Sequence, residues 1–176
     1  MSGPYPQISR WIIPASVISA TLAGVQPAGA RGCEAGAFWL GCREECSQVS
    51  AVLLPTGKGV TESPYRWRVE PEVFGAAIEW AKPRGLTLLA VVHTHVPGVP
   101  PKLSWSDRHF SIQVPGILSI VIGNGGQDRE PLDWGWYVYE NGDYQHVDSP
   151  RLSSQFNFAP NSPVDVHKLS ADGVDG

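Results

Sequence analysis

Residues 93–107 hold the side chains of this sequence that are best suited to binding a metal ion. Two imidazoles, His93 and His95, stand one residue apart directly after an apolar run, and the carboxylate of Asp107 follows a loop rich in proline. Imidazole nitrogens and carboxylate oxygens are zinc ligands, and three of them leave a fourth coordination position for water. The segment therefore predicts a zinc site with His93, His95 and Asp107 as its protein ligands.

Two elements must position these ligands. Residues 86–92, Leu-Thr-Leu-Leu-Ala-Val-Val, have the length and apolar content of a strand that is buried on both faces. Side chains alternate across a strand, so His93 and His95 should point to the same side at its end. The turn-rich loop 96–103 can then return the chain across the site and bring Asp107 to the two histidines.

The same residues also have ordinary structural interpretations. A histidine at the end of a strand is commonly a polar group satisfied by hydrogen bonds. Ser104 and Asp107 fit a capping box, with Ser104 as the N-cap and Asp107 at the third position of a helix that continues through residues 108–110. We favour the metal site because the histidines, the serine and the aspartate occur together, whereas capping explains only two of them.

His-x-His, a proline-rich loop and Ser-x-x-Asp together resemble the motif of the JAB/MPN metalloprotease family, also called JAMM. That family has an upstream glutamate, and residues 31–41 resemble its Glu-x-x-Gly-hydrophobic-Leu-Gly segment, with Glu34 at the catalytic position and Gly41 closing a strand. The resemblance covers about residues 10–148 and includes all five motif residues.

The loop between the second histidine and the serine departs from the family pattern. Eight residues separate His95 from Ser104 where seven are commoner, and the proline that usually follows the histidine stands one position later, at Pro97. A loop tolerates one additional residue at little free-energy cost, so we expect the ligand set to be retained.

The resemblance implies a role for each motif residue. His93, His95 and Asp107 would hold zinc, while Glu34 would act as the general base that takes a proton from water and delivers it to the departing amine. Ser104 would donate a hydrogen bond to the tetrahedral oxyanion. Asp107 would combine its role as a ligand with helix capping, because its two oxygens can serve different partners.

The resemblance also implies a substrate, namely a peptide or isopeptide bond that follows the extended C-terminal tail of a ubiquitin-like protein. The short chain is similar to bacterial members of the family that accompany E1- and E2-like enzymes in antiviral conjugation operons. The expected partners are therefore a ubiquitin-like protein, its conjugates and those enzymes. Trp105 is a candidate contact for the tail, and Trp134 and Trp136 are candidates that would more commonly be core residues.

Two other functions stay open from the sequence. One is a JAB peptidase that acts on a sulfur-carrier protein. The other is a scaffold without metal, which would bind a ubiquitin-like tail as an added strand at a sheet edge.

Composition narrows the class of protein. A length of 176 residues, with 42% hydrophobic and 17% charged residues, suits one globular domain, and a net charge of −4 offers no basic surface for nucleic acid. The three cysteines, Cys33, Cys42 and Cys46, are odd in number and closely spaced, which argues against a secreted disulfide framework and favours reduced thiols in the cytoplasm. Cys42 and Cys46 could ligate zinc, but no second pair accompanies them.

The N-terminal region allows two interpretations. Arg10, an apolar stretch and the triplet at residues 28–30, Ala-Gly-Ala, are similar to a secretory leader with its cleavage site. We favour an amphipathic helix over about residues 14–26, because the family places a strand and a helix before the glutamate. The apolar stripe of that helix is Val17, Ile18, Leu22 and Val25. No stretch is long enough to span a membrane, so no membrane association is expected.

The order of the remaining elements predicts an α/β domain of the mixed α+β type, with a central mixed sheet and flanking helices. The resemblance implies that this fold is cytidine-deaminase-like. Residues 9–156 form this JAB/MPN-type domain, preceded by a flexible N-terminus at 1–8 and followed by an appended tail at 157–176. The predicted strands are 8–13, 37–42, 49–54, 65–69, 86–95 and 116–123, with a hairpin of 134–140 and 143–147 across Asn141-Gly142, and a further helix begins at Pro71.

Overall fold

The computed structural model describes residues 7–175, and the flexibility predicted for residues 1–8 concerns positions that lie mostly outside this range. The helices are α1 (Ala15–Ala30), α2 (Pro71–Ala81), α3 (Trp105–Phe110) and α4 (Ser149–Gln155). The strands are β1 (Arg10–Pro14), β2 (Gly36–Gly41), β3 (Cys46–Pro55), β4 (Val60–Ser63), β5 (Arg66–Val69), β6 (Thr87–Thr94), β7 (Leu118–Ile122), β8 (Gly135–Glu140), β9 (Asp143–His146), β10 (Phe156–Ala159), β11 (Asp165–Ser170) and β12 (Gly173–Val174).

A mixed sheet of ten strands forms the centre of the fold and confirms the predicted α/β class. Eight strands follow the order β10-β1-β3-β2-β6-β7-β8-β9, while β11 pairs with the second half of β3 and carries β12. The β6–β7 pair is parallel, and β2 runs antiparallel to both β3 and β6. β4 and β5 form a separate antiparallel hairpin beside the sheet.

Helices cover both faces of the sheet, and the alternation of side chains along β2 shows why. Trp39 points to the face covered by α1, where its indole N–H donates to the hydroxyl of Thr21 at 2.8 Å. Phe38 and Leu40 point to the opposite face and pack with Val73 and other buried residues of α2. The sheet is thus buried on both sides, as a near-continuous apolar strand requires.

Several local predictions are confirmed. β6 is buried along most of its length, and α2 begins at Pro71. The hairpin between β8 and β9 turns at Asn141 and Gly142, whose φ angles of 53° and 85° lie in the left-handed region, as a two-residue type I′ turn requires. α1 is present but extends to Ala30, past the predicted end near residue 26 and through Pro27.

The C-terminal segment is where the sequence-based interpretation was wrong. Residues from Asn157 onward were expected to be an appended tail, yet β10 pairs in parallel with β1 and β11 pairs in parallel with β3. The side chain of Leu169 is 1% exposed in the core on the α2 face. Most of the other side chains on β11 are at least partly exposed, so this strand lacks a clear apolar period.

No helix within residues 7–175 combines the length and the apolar character needed to cross a bilayer.

The buried position of Leu169 generates a stability prediction. Leu169→Ala should lower the free energy of unfolding by about 2–5 kcal/mol, because it leaves a cavity beneath β11. Val166→Ala is the matched control on the same strand, since Val166 is 43% exposed, and it should change stability by less than about 1 kcal/mol. Chemical denaturation of both variants measures the difference. Equal, small effects would indicate that β11 does not stabilise the domain.

Candidate metal centre

β6 places His93 and His95 on one side of the sheet. The backbone of His93 lies between two neighbouring strands, paired with Gly36 of β2 and Val121 of β7. The His95 N–H donates to the carbonyl of Ile122 at 2.9 Å, which continues the parallel ladder by one residue. Both histidines are almost fully buried, so their positions are determined by the sheet.

The loop after β6 orients the second histidine. His95 Nδ1 lies 2.7 Å from the carbonyl oxygen of Pro100. A carbonyl only accepts hydrogen bonds, so Nδ1 carries a proton, and Nε2 is the nitrogen that offers a lone pair to a metal when the imidazole is neutral. This loop contains a turn with a hydrogen bond from the Val99 N–H to the Val96 carbonyl, and His95 still lies 3.5 Å from Asp107 of α3.

The predicted capping box at α3 is confirmed, and it orients Asp107. The Ser104 N–H donates to Asp107 Oδ2 at 2.7 Å, and the Asp107 N–H donates to Ser104 Oγ at 3.1 Å. Asp107 Oδ1 and Oδ2 face His93 Nε2 and His95 Nε2, each at 3.5 Å. One carboxylate therefore caps the helix and faces both imidazoles, with Oδ1 left outside the capping interaction.

The three groups fit a tetrahedral metal ion. The two Nε2 atoms are 3.3 Å apart, and each lies 3.5 Å from a different oxygen of Asp107, with one ligand atom from each residue within 4.8 Å of the others. Ligand atoms about 2.0–2.1 Å from zinc at the corners of a tetrahedron lie about 3.3–3.4 Å from one another. Two Nε2 atoms that face each other can share one proton at most, whereas a cation between them and Asp107 satisfies all three. His93, His95 and Asp107 are thus positioned to hold a divalent metal.

The charges of the centre compensate one another. Burial by itself raises the pKa of Asp107, but the adjacent His93 and His95 outweigh it and hold the pKa well below its ordinary value. Burial lowers the pKa of His95, but Asp107 and the Pro100 carbonyl outweigh it and raise the pKa above its ordinary value. Asp107 is consequently ionised at neutral pH. Because a metal competes with a proton for His95 Nε2, metal binding weakens as the pH falls.

Glu34 lies beside this centre because the next residue, Ala35, is hydrogen-bonded to Thr94, which stands between the two histidines. The Thr94 N–H donates to the Ala35 carbonyl at 2.8 Å, and the Ala35 N–H donates to the Thr94 hydroxyl at 3.0 Å. Glu34 is 9% exposed. Burial raises its pKa above the ordinary value, and the nearby charges of His95 and His93 only partly oppose that rise. A buried carboxylate with a raised pKa is suited to accepting a proton.

A cleft of about 400 Å³ opens beside the metal ligands. Its wall is formed by β5, by the start of α2 and by α3, and the side chains that line it include Trp67, His93, Ser106, Asp107 and Phe110. Neither Ser106, whose hydroxyl is 2.9 Å from that of Ser104, nor Trp67 was predicted from the sequence to lie in the site. Their place in the cleft is shown by the fold, which brings β5 and α3 to the same opening.

The tryptophans named from the sequence separate into two groups. Trp105 is 68% exposed on α3, stacked on His109 with ring centroids 4.1 Å apart, and is available to a partner. Trp134 and Trp136 are core residues, the commoner of their two interpretations. The three cysteines are free thiols, and within residues 7–175 neither Cys42 nor Cys46 belongs to a cluster of metal-binding groups.

Comparisons with known proteins yield remote similarities. No family model matches the chain. The chain is 28% identical over 148 residues to a protein of Sinorhizobium fredii named "Probable metalloprotease y4jG", covering 83% of each chain. A solution structure of a Desulfitobacterium hafniense protein is similar over 86% of this chain and 94% of its own, with a TM-score of 0.60 and 17% identity, which supports a shared fold. A JAB1/MPN domain protein from Archaeoglobus fulgidus matches at a TM-score of 0.41 and 13% identity, covering 81% of this chain and 96% of its own, too weakly to support an argument.

The geometry predicts how metal content responds to substitution. His93→Ala or Asp107→Ala should remove most of the bound metal, because each variant leaves two of the three ligands. His109→Ala is the matched control, since His109 lies on the exposed side of α3, and it should retain the metal. Elemental analysis after dialysis measures the content. Undiminished metal in both ligand variants would contradict the assignment and make Cys42 and Cys46 the next candidates.

Proposed function

We propose that this protein is a zinc-dependent peptidase of the JAB/MPN type that cleaves the peptide or isopeptide bond after the C-terminal tail of a ubiquitin-like protein. One observation carries the proposal: three groups able to bind a metal converge beside a buried glutamate, at the end of a cleft. The name of the Sinorhizobium fredii relative, a probable metalloprotease, supports the same reaction class.

The chain's own residues supply the proton transfers of such a reaction. A zinc ion in this site would contribute Lewis acidity, which activates water and polarises the scissile carbonyl. Glu34 accepts the proton of the attacking water, since its raised pKa brings it closer to neutral pH. The same carboxyl group then donates that proton to the departing amine. His93, His95 and Asp107 remain ligands throughout and transfer no proton.

Ser104 is the proposed donor to the oxyanion. Its Oγ accepts a hydrogen bond from the Asp107 N–H, so the lone pair that caps the helix is separate from the hydroxyl proton. That proton can be donated to Ser106 Oγ at 2.9 Å in the resting protein and to a substrate oxygen during the reaction. The capping and catalytic roles of Ser104 are therefore compatible.

The cleft suits an extended peptide. Apolar side chains of β5, α2 and β6 form part of its lining, and Arg66 and Arg68 lie along it. A flexible C-terminal tail could lie along β5 with its last residue at the metal ligands. The exposed Trp105 is the proposed contact for the substrate outside the cleft.

The biological setting of the proposal is a bacterial antiviral conjugation system in the cytoplasm. The partners would be a ubiquitin-like protein, its conjugates and the E1- and E2-like enzymes of the same operon. The test is cleavage of a reporter fused to the C-terminal tail of a ubiquitin-like protein encoded beside this chain, with a sulfur-carrier fusion in parallel. Release of the sulfur carrier alone would favour the alternative peptidase. Tail binding without metal or cleavage of either fusion would favour a scaffold.

The proton-transfer role of Glu34 can be measured directly. Glu34→Gln should lower the turnover rate by about 10²–10⁴, because the amide cannot accept the proton. Metal content and thermal stability should remain close to wild type, since Glu34 is not a ligand. Glu79→Gln, an exposed change on α2, controls for the loss of one negative charge. Cleavage by Glu34→Gln at the wild-type rate would mean that another group is the base.

Substitutions of Ser104 separate its two roles. Ser104→Ala should lower stability by about 0.5–2 kcal/mol, and Ser104→Asp, which retains a capping oxygen, should recover it. Neither variant should recover turnover, because alanine has no hydroxyl and aspartate places negative charge where the oxyanion forms. Both are assayed at saturating zinc.

Ser106→Ala completes that comparison, since Ser106 lies in the cleft and contacts the Ser104 hydroxyl. It should keep most of the activity. An active Ser104→Asp enzyme together with an inactive Ser106→Ala enzyme would transfer the donor role to Ser106.

A further inference from the structure

The β4–β5 hairpin holds Glu34 by its backbone and by its side chain. The Glu34 N–H donates to the carbonyl of Ser63 at 2.9 Å. The backbone N–H of Trp67 donates to Glu34 Oε2 at 3.2 Å. This second bond engages one oxygen of the carboxylate, so Oε1 is the oxygen left for proton transfer.

The ring of Trp67 is seated on β2, the strand that follows Glu34. A Cβ atom added to Gly36 would lie 2.6 Å from two ring carbons of Trp67, so the ring occupies the space above that glycine. The same ring meets Phe38 edge-on, with centroids 6.1 Å apart and planes at 65°. Gly36 and Phe38, which are two positions apart on β2, thus form the surface on which the indole packs.

Packing alone determines where this ring lies. The indole Nε1 of Trp67 is shielded from solvent and has no hydrogen-bond partner among the described residues, although buried tryptophan N–H groups usually find one. The position of the ring therefore depends on its packing contacts and not on a hydrogen bond of the indole. The backbone N–H of the same residue donates to Glu34.

We propose that Trp67 is a positioning residue for Glu34. Its ring, packed on Gly36 and Phe38, fixes the backbone of β5, and its N–H then orients the carboxylate for proton transfer. The inference rests on the proposed role of Glu34 as the base. Because β5 also lines the cleft, the strand that would contact the substrate is the strand that orients the base.

Amide hydrogen exchange followed by NMR tests the structural link without any measurement of activity. Glu34→Ala removes the acceptor, and exchange at the amide of position 67 should become about tenfold faster or more. Trp67→Ala should have the same effect at that position, whereas Trp67→Phe, which keeps a ring above Gly36, should retain the protection. Amides of β7 and β8 in the central sheet serve as internal references and should not change.

Kinetics on the zinc-loaded protein test the catalytic consequence. Trp67→Ala should lower kcat by about tenfold to a hundredfold, since a small misplacement of a reacting group has effects of this size. KM should change less than kcat, which distinguishes orientation of the base from a substrate contact. Trp67→Phe should restore most of kcat. Thr61→Ala, on the exposed side of β4, is the matched control and should behave as wild type.

Two outcomes would overturn the proposal: a wild-type kcat for Trp67→Ala, or an unchanged amide protection at position 67 in that variant. If Trp67→Ala does not fold, Trp67→Leu carries the same comparison. If the wild-type protein cleaves no fusion, the proposed function fails, and the exchange experiment still decides whether the ring fixes the N–H that holds Glu34.

Discussion

The register between β2 and β6 is the constraint on which the rest of the site depends. The reciprocal hydrogen bonds between Ala35 and Thr94 align the residue after Glu34 with the residue between the two histidines. A shift of β2 by one residue would turn its side chains to the opposite faces of the sheet, which would bury Trp39 on the wrong side and move Glu34 out of line with the histidines of β6. The apolar residues on the two faces of the sheet thus specify the site indirectly, because the register that buries them is the one that brings the base to the ligands.

The second constraint is the short helix α3, which could not form by itself. Six residues are far below the length at which an isolated helix is stable in water, so α3 depends on its cap and on its packing. Asp107 supplies half of that cap and also faces both imidazoles. The carboxylate therefore has little freedom to rotate, and its orientation toward the histidines is set before any metal arrives. The helix-capping interpretation of Ser104 and Asp107 and their interpretation as site residues are therefore compatible.

The predictions from the sequence were most successful for elements that are determined by residues close together in the chain. Alternation in β6, the capping box and the Asn141-Gly142 turn each depend on residues within a few positions, and each is present. The C-terminal strands were missed because they pair with β1 and β3, more than a hundred residues away. Trp67 was missed for the same reason: its strand was predicted, but neither its seat on Gly36 nor its bond to Glu34 has any signal in neighbouring residues. Contacts of this kind depend on tertiary packing, which residue spacing does not encode.

These constraints also bear on how metal binding relates to folding. In small zinc domains the metal supplies most of the folding free energy, and the apo chain is unfolded. Here the ligands are held by a sheet ladder, a carbonyl at His95 Nδ1 and a helix cap, while two large apolar clusters stabilise the sheet independently of the site. The metal-free protein can keep its buried charges balanced, because Asp107 is ionised and its close approach favours a protonated His95. When a metal ion replaces the proton on His95, the surrounding structure can therefore stay in place. The fold thus provides a site that is preorganised for the metal.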